Sequence, residues 1–385
     1  MKYYIIAGEA SGDLHGSNLM KGLYAQDPET DCRFWGGERM LSVYRAHQQG
    51  NGLVKDYRDG AVMGYLEVLL KGFSLLEKVR FCKRDIAAWK PDAVILIDYP
   101  GFNFKIAEYA HKAGFKVFYY IAPKVWASRE GRIRKLKAWV DHLFIVFPFE
   151  QSYFSGKGVP YTYVGNPLMD EIAGSPAMRE PREVFLRRAA LPEGPYVALL
   201  AGSRNMEIGQ MMPTYMKVAD DWHDRHPECR FVVAAAPSRT PADYASYIGE
   251  RDYVKVVFGD TYAALRHARV AIINSGTASL EAAIIGTPQL VGYKVAAASG
   301  FIMRRLIRVP YVSLANLILG RMAVREFLQE NFTEENLEAE LQRLWEEGSC
   351  RETMLADYAA IRELLGGSGA SQAVARAMIN ELVKN

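Results

Sequence analysis

The sequence predicts two α/β halves, each built on a doubly wound parallel sheet, and three observations carry that expectation. Short unbroken apolar runs alternate with helix-like stretches; the alternation stops at a polar, proline-bearing segment in mid-chain; it then starts again. Length agrees, because 385 residues, half of them hydrophobic, supply two cores, whereas single cores stop growing at roughly 250–300 residues.

Taken in order, KYYIIAG is a continuous apolar run ending in glycine, and the helix-like SNLMKGLYAQ follows it. DAVILIDYPG, FKIAEYAHKAG and KVFYYIA repeat the strand–helix–strand rhythm. Parallel strands covered by helices on both faces need no polar alternation, which is the pattern of these runs. After Val164-Gly165-Asn166-Pro167-Leu168 comes GSPAMREPREV, and a second series opens with PYVALLAGSR, RFVVAAAPS, YVKVVFG and ARVAIINSG. The last stretch, SQAVARAMINELVKN, reads as a helix that returns to the first half. The expected domains are therefore residues 1–170 and 171–367, with 368–385 packing back on the first.

Composition excludes some classes. Forty-seven basic against 44 acidic residues give a formal charge of +3, too balanced to predict a nucleic-acid partner. Cys32, Cys82, Cys229 and Cys350 are scattered without a CxxC pair, and the first apolar run is shorter than the h-region of a signal peptide. A reduced, cytoplasmic protein is expected. No window reaches the ~18 uninterrupted apolar residues of a membrane-spanning helix, so membrane contact is expected to be peripheral.

In a doubly wound sheet ligands sit beyond the carboxyl ends of the strands, and GEASGDLHG, residues 8–16, holds that position on the first strand. Its glycines permit close backbone approach, while Ser11 or Asp13 either caps the following helix or leaves its N–H groups facing a ligand. The spacing is not GxGxxG, which speaks against a classical dehydrogenase. LIDYPGFN stops a strand at Asp98, with Pro100 and Gly101 just after it; the carboxylate either faces a cleft or makes an Asx turn. LLAGSRNMEI ends the first strand of the second series with Gly202, Ser203 and Arg204. Backbone donors beside a guanidinium suit a phosphate; the competing use of Arg204 is a pair with Glu207 at a helix start. AIINSGTASLEAAIIGTPQL places Ser275, Gly276 and Thr277 at a helix N-terminus suited to a diphosphate, with Glu281 about one turn in, where it can accept from a ribose diol.

Together GEASGDLHG, FWGGERM, IDYPGFNFKIA, YYIAPKVWASREGRIRKLK, FPFE, YVGNPLMD, AGSRNMEI and NSGTASLEAAIIGTPQLVGYK resemble the successive motifs of the lipid-A-disaccharide synthases, in order from residue 7 to about 320. The resemblance implies a GT-B glycosyltransferase whose two Rossmann-like domains face a central cleft, the first for the acceptor and the membrane, the second for a UDP-sugar. It implies transfer from UDP-2,3-diacylglucosamine to 2,3-diacylglucosamine 1-phosphate, giving UDP and a β-1,6 disaccharide with inversion at the anomeric carbon. It further points to Asn316, and to Glu9, Ser11 and Asp13 of the N-terminal loop, as residues the reaction needs. The chain departs from the family pattern at Asn166, where histidine is common, at Ala201, where proline is common, and at Lys124, where a small residue is common.

An inverting transfer needs a base for the acceptor hydroxyl and stabilisation of the departing diphosphate, which GT-B enzymes typically provide without a metal. Asp98 is the expected base, Arg204 and the helix opening at Ser275-Gly276-Thr277 the diphosphate ligands, and Glu281 the ribose ligand. No cofactor and no metal are expected; His223 and His226 in WHDRH read as surface side chains.

The acyl chains of both substrates call for an apolar surface, and MGYLEVLLKGFSLLEKV supplies one. Leu66, Leu69, Leu70, Phe73, Leu76 and Val79 fall at helical spacing, widened by Val68 and Leu75. The same stripe also fits a core helix or a homodimer contact. Basic residues Arg129, Arg132, Arg134, Lys135 and Lys137, with Arg304, Arg305 and Arg308, would add attraction to an anionic leaflet, so a peripheral position on the inner face of the inner membrane is expected. Two other readings stay open: a different UDP-sugar transferase or epimerase of the same fold, and a UDP-sugar-binding protein without turnover.

Overall fold

The computed structural model describes all residues except 59–66, 128–129, 238, 275, 295–309 and 385, and leaves aside the side chains of 67–74. The chain divides into two compact units, Met1–Pro167 with Gly366–Asn385, and Leu168–Leu365.

The first unit is built on seven parallel strands: β1 (Lys2–Ala7), β2 (Asp31–Gly36), β3 (Leu53–Asp56), β4 (Ala93–Ile97), β5 (Lys116–Tyr120), β6 (His142–Ile145) and β7 (Tyr161–Tyr163), in the order β3-β2-β1-β4-β5-β6-β7. Helices α1 (Ala10–Gln26), α2 (Glu38–His47), α3 (Glu67–Trp89), α4 (Pro100–Lys112), α5 (Ile133–Trp139) and α6 (Glu150–Gly156) connect them. Every residue of β4 is buried, as are Tyr3 to Ala7 of β1, which is why those strands read as pure apolar runs. The polar β2 is accommodated through α3: the Arg33 guanidinium donates to both oxygens of Asp85, at 2.8 and 2.6 Å, and Tyr4 donates to the same carboxylate at 2.7 Å.

In the second unit α7 (Pro167–Gly174) and α8 (Arg182–Arg188) lead into β8 (Tyr196–Leu200), α9 (Asn205–Arg225), β9 (Arg230–Ala235), α10 (Ala242–Ile248), β10 (Val254–Phe258), α11 (Thr261–His267), β11 (Val270–Asn274), α12 (Thr277–Ile285) and β12 (Gln289–Tyr293). After these come α13 (Leu314–Leu319), β13 (Glu326–Leu328), α14 (Glu334–Trp345) and α15 (Ser349–Leu365). The sheet is parallel, ordered β10-β9-β8-β11-β12-β13. The final helix, α16 (Ala370–Val383), belongs to the first unit and lies against α1, close enough that a Cβ on Gly22 would stand 2.9 Å from that of Ala375.

Strand order reverses between β1 and β4 in one sheet and between β8 and β11 in the other. Chains leaving such a pair diverge to opposite faces and open a crevice at the carboxyl ends, the usual place for a ligand. Gly8 and Asp98 follow one pair; Gly202 and Gly276 follow the other.

Candidate active site

At the first crevice the backbone of Asp98 and Tyr99 turns left-handed, with φ of 41° and 46°. Non-glycine residues persist there only where their surroundings impose it. Tyr119 donates its hydroxyl to the Asp98 carbonyl at 2.5 Å, and buried Asn103 donates Nδ2 to the same oxygen at 2.8 Å. Pro100 then opens α4. The peptide is thus tied from below while the carboxyl stays half-buried. Burial pushes the Asp98 pKa up, Lys124 pulls it down and Glu9 pushes it up again, so the group has one cation and one carboxylate as electrostatic neighbours.

Lys124 is exposed on the segment after β5. That segment is anchored by Trp126, whose Nε1 donates to Glu150 at 2.9 Å; the other oxygen of this buried carboxyl accepts from the N–H groups of Val146 and Phe147 at 3.2 and 3.1 Å. Burial raises Glu150 to about 7, against these hydrogen bonds and Lys124. Sequence reading left Glu150 without a task, because FPFE looks like any helix start.

Glu9 and Ser11 are exposed at the opening of α1, where no side chain caps the helix. Asp13 is buried and accepts from the N–H groups of Gly37, Arg39 and Met40 at 2.7, 3.1 and 3.2 Å. It holds the start of α2 instead of capping its own helix. His15 lies in the same motif, its Nδ1 buried without a hydrogen-bond partner, and burial pushes it down to about 4, so it is neutral near pH 7.

At the second crevice the turn after β8 makes the Arg204–Glu207 pair that the sequence allows. The donors assigned to a phosphate are occupied: Glu207 Oε2 accepts from the N–H groups of Ser203 and Arg204 at 2.9 and 3.1 Å, and Arg204 Nη1 lies 2.9 Å from Oε1. Glu207, at the third position of α9, thus reaches back to the N–H of the residue before the helix, while the Arg204 guanidinium, which has no acceptor, returns only the ion pair. From β11, Asn274 donates Nδ2 toward the Ala201 carbonyl at 3.4 Å and keeps a buried Oδ1 without a partner, an acceptor for an N–H or O–H.

Ser275 lies outside the described residues. Gly276 and exposed Thr277 open α12 with no side-chain cap, which leaves first-turn N–H groups for an acceptor. Ser279 donates to the Gly276 carbonyl at 2.9 Å and fixes that turn. One turn on, Glu281 is raised to about 7 by burial and by Glu171, against a hydrogen bond with Tyr262.

Asn316, a residue the resemblance points to, is held by protein groups on every side of its amide. Fully buried on α13, it accepts from Ala323 and Val324 N–H at 2.7 and 2.9 Å and donates to the Val324 carbonyl and to Glu326, both at 2.8 Å. Its amide is saturated by protein groups, which ties down the segment ahead of β13.

Of the apolar stripe, Leu66 lies outside the described residues, as do the side chains of Leu69, Leu70 and Phe73. Leu76 is 48% exposed and Phe81 43%, while Val79 faces inward and joins the core. Arg129, Arg304, Arg305 and Arg308 also lie outside; Arg132 and Lys135 sit over the Phe104 ring. His223 and His226, read as surface groups, are half-buried and stack on Tyr253 and Trp222. Among the described residues no helix is long and apolar enough to cross a membrane.

Paired Rossmann-like units with these crevices define the GT-B class of glycosyltransferases and related epimerases. Solved structures agree on the fold: UDP-GlcNAc 2-epimerase from Neisseria meningitidis bound to UDP-GlcNAc superposes with a TM-score of 0.70 at 13% identity, covering 100% of both chains. A glycosyltransferase from Rickettsia africae superposes at 0.58 and 9% identity, covering 100% of this chain and 99% of its own. Residues 3–378 match the lipid-A-disaccharide synthetase family. Lipid-A-disaccharide synthase of Geobacter metallireducens is 36% identical over 381 residues, covering 99% of this chain and 97% of the relative; that of Coxiella burnetii is 32% identical over 377 residues, with 98% and 97% covered. The chain belongs to the lipid-A-disaccharide synthetase family and is a glycosyltransferase of lipid A biosynthesis.

Proposed function

We propose that the protein joins UDP-2,3-diacylglucosamine to 2,3-diacylglucosamine 1-phosphate by a β-1,6 bond, releasing UDP with inversion at the anomeric carbon. The observation that carries this is Asp98: a half-buried carboxyl on a constrained left-handed turn at the β1/β4 crevice, with Lys124 favouring its ionised form. A carboxylate held there takes the proton from the acceptor 6-hydroxyl as the oxygen attacks the anomeric carbon and the UDP oxygen departs.

Arg204 and the uncapped start of α12 take the diphosphate, and Glu281 accepts from the ribose diol. Arg204 is suited because its side chain is 73% exposed, leaving donors beyond the one spent on Glu207. The first unit serves the acceptor and the second the UDP-sugar. Leu76, with Leu66, Leu69, Leu70 and Phe73, docks acyl chains and the inner leaflet on the cytoplasmic side, in preference to a second copy of the chain.

The test is UDP release from the donor in detergent micelles, with and without acceptor, for wild type and Asp98→Asn. Acceptor-dependent release that falls by roughly 10²–10⁴ in the variant supports the base. An unchanged rate removes Asp98 from that role, and release that ignores the acceptor removes the substrate pair.

A further inference from the structure

Glu207 holds the donors that a phosphate would use. Its two oxygens span the Ser203 and Arg204 N–H groups and the Arg204 guanidinium, all between 2.9 and 3.1 Å. Room for it comes from Gly202, at φ +100°: a Cβ there would stand 2.5 Å from Glu207 Oε2 and 2.5 Å from Asn274 Nδ2. The partners differ in exposure. Glu207 is tucked in at 22% and Arg204 stands out at 73%, so the guanidinium can leave while the carboxylate stays on its backbone donors.

We propose that Glu207 is a resident anion that presets the turn and competes with the donor's diphosphate for Arg204, a positioning residue that limits how tightly UDP is held. This rests on the reading of Arg204 as a diphosphate ligand. Without donor, the ion pair keeps a long cationic side chain in one place beside the crevice. When the diphosphate arrives, its greater charge draws the guanidinium away, and Glu207 goes on capping α9. When UDP leaves, Glu207 recovers Arg204, which offsets part of the attraction that would otherwise retain the product. Tyr293 lies in the same corner, its hydroxyl pushed up by burial and by the Glu207 carboxylate.

The experiment is calorimetric titration of the full-length protein with UDP, using wild type, Glu207→Gln, Arg204→Ala and the double variant. Glutamine keeps an acceptor for the two backbone donors, so the turn is retained, and thermal denaturation of each variant checks this. Glu207→Gln is expected to bind UDP about 2- to 5-fold tighter, the worth of a partly exposed ion pair. Most of that gain disappears when Arg204 is already alanine, which separates competition for the guanidinium from general removal of negative charge. UDP affinity that is unchanged or weaker in Glu207→Gln, while Arg204→Ala still weakens binding, overturns the proposal and leaves Glu207 a helix cap. If Arg204→Ala leaves affinity unchanged, the diphosphate reading of Arg204 fails first, and the competition with it.

Discussion

Gly8 and Tyr99 occupy one space: a Cβ on Gly8 would stand 2.3 Å from Cδ1 of the tyrosine ring. The residue that follows β1 therefore has to be glycine for the left-handed turn that follows β4 to exist. Gly8→Ala forces the ring to move, and Asp98 with it. The expected result is a kcat reduced at least 10-fold, with about 1–3 kcal/mol of stability lost through overpacking. Steady-state UDP release and thermal denaturation check the two parts.

Lys124 sets the proton affinity of Asp98 from one side and Glu9 from the other. A base must be ionised, so activity falls on the acid side as Asp98 is protonated. Removing the cation in Lys124→Met raises the Asp98 pKa and moves the acid limb of kcat/KM to higher pH. Glu9→Gln removes a carboxylate and moves it to lower pH. Opposite shifts in the two pH profiles are the expected signature; parallel shifts would disconnect the limb from Asp98.

Each unit holds a glutamic acid raised from 4.5 to about 7, chiefly by desolvation: the buried Glu150 in the first and the partly exposed Glu281 in the second. Between those values the folded state binds more protons than the unfolded one, so stability is fully present below pH 4.5 and falls as pH rises through 7. Apparent Tm should decline from pH 5 to 8. Glu150→Gln and Glu281→Gln should each flatten the decline, which differential scanning calorimetry at fixed ionic strength will register.

Asp13 and Asn316 should report as structural residues. Asp13→Ala strips three N–H groups of their acceptor and Asn316→Ala orphans four contacts in a fully buried site. Each should lower stability by about 2–4 kcal/mol. Activity per folded molecule, measured with the folded fraction counted by circular dichroism, should fall far less than in Asp98→Asn.

The strands legible in the sequence are β1, β4, β5, β8, β9 and β11, which lie inside the two sheets, and the edge strand β10, whose VKVVF is mostly apolar. Those that escaped reading fail for physical reasons. β3, β6, β7 and β13 have only three or four residues each, too few for a pattern, and β2 carries Arg33, whose charge is met only by Asp85 on a distant helix. The candidate site was legible as positions, because glycines and polar residues at strand ends show where ligands fit. The partners were not. Nothing near Asp13 in the sequence names Gly37 or Met40, and the choice of Arg204 between a ligand and Glu207 depends on a glycine's positive φ.

The first unit is closed by a helix that follows the whole second unit in the chain. Val374, Ala375 and Met378 of α16 are buried, and α16 lies on α1. The amino-terminal sheet therefore leaves the ribosome without its cover and waits while residues 168–365 are translated, about 10–40 s at ordinary elongation rates. During that interval the α1 face presents bare apolar surface to chaperones and to neighbouring chains. Loss of Gly366–Asn385 thus injures the unit built from Met1–Pro167, not the one that directly precedes it in the chain.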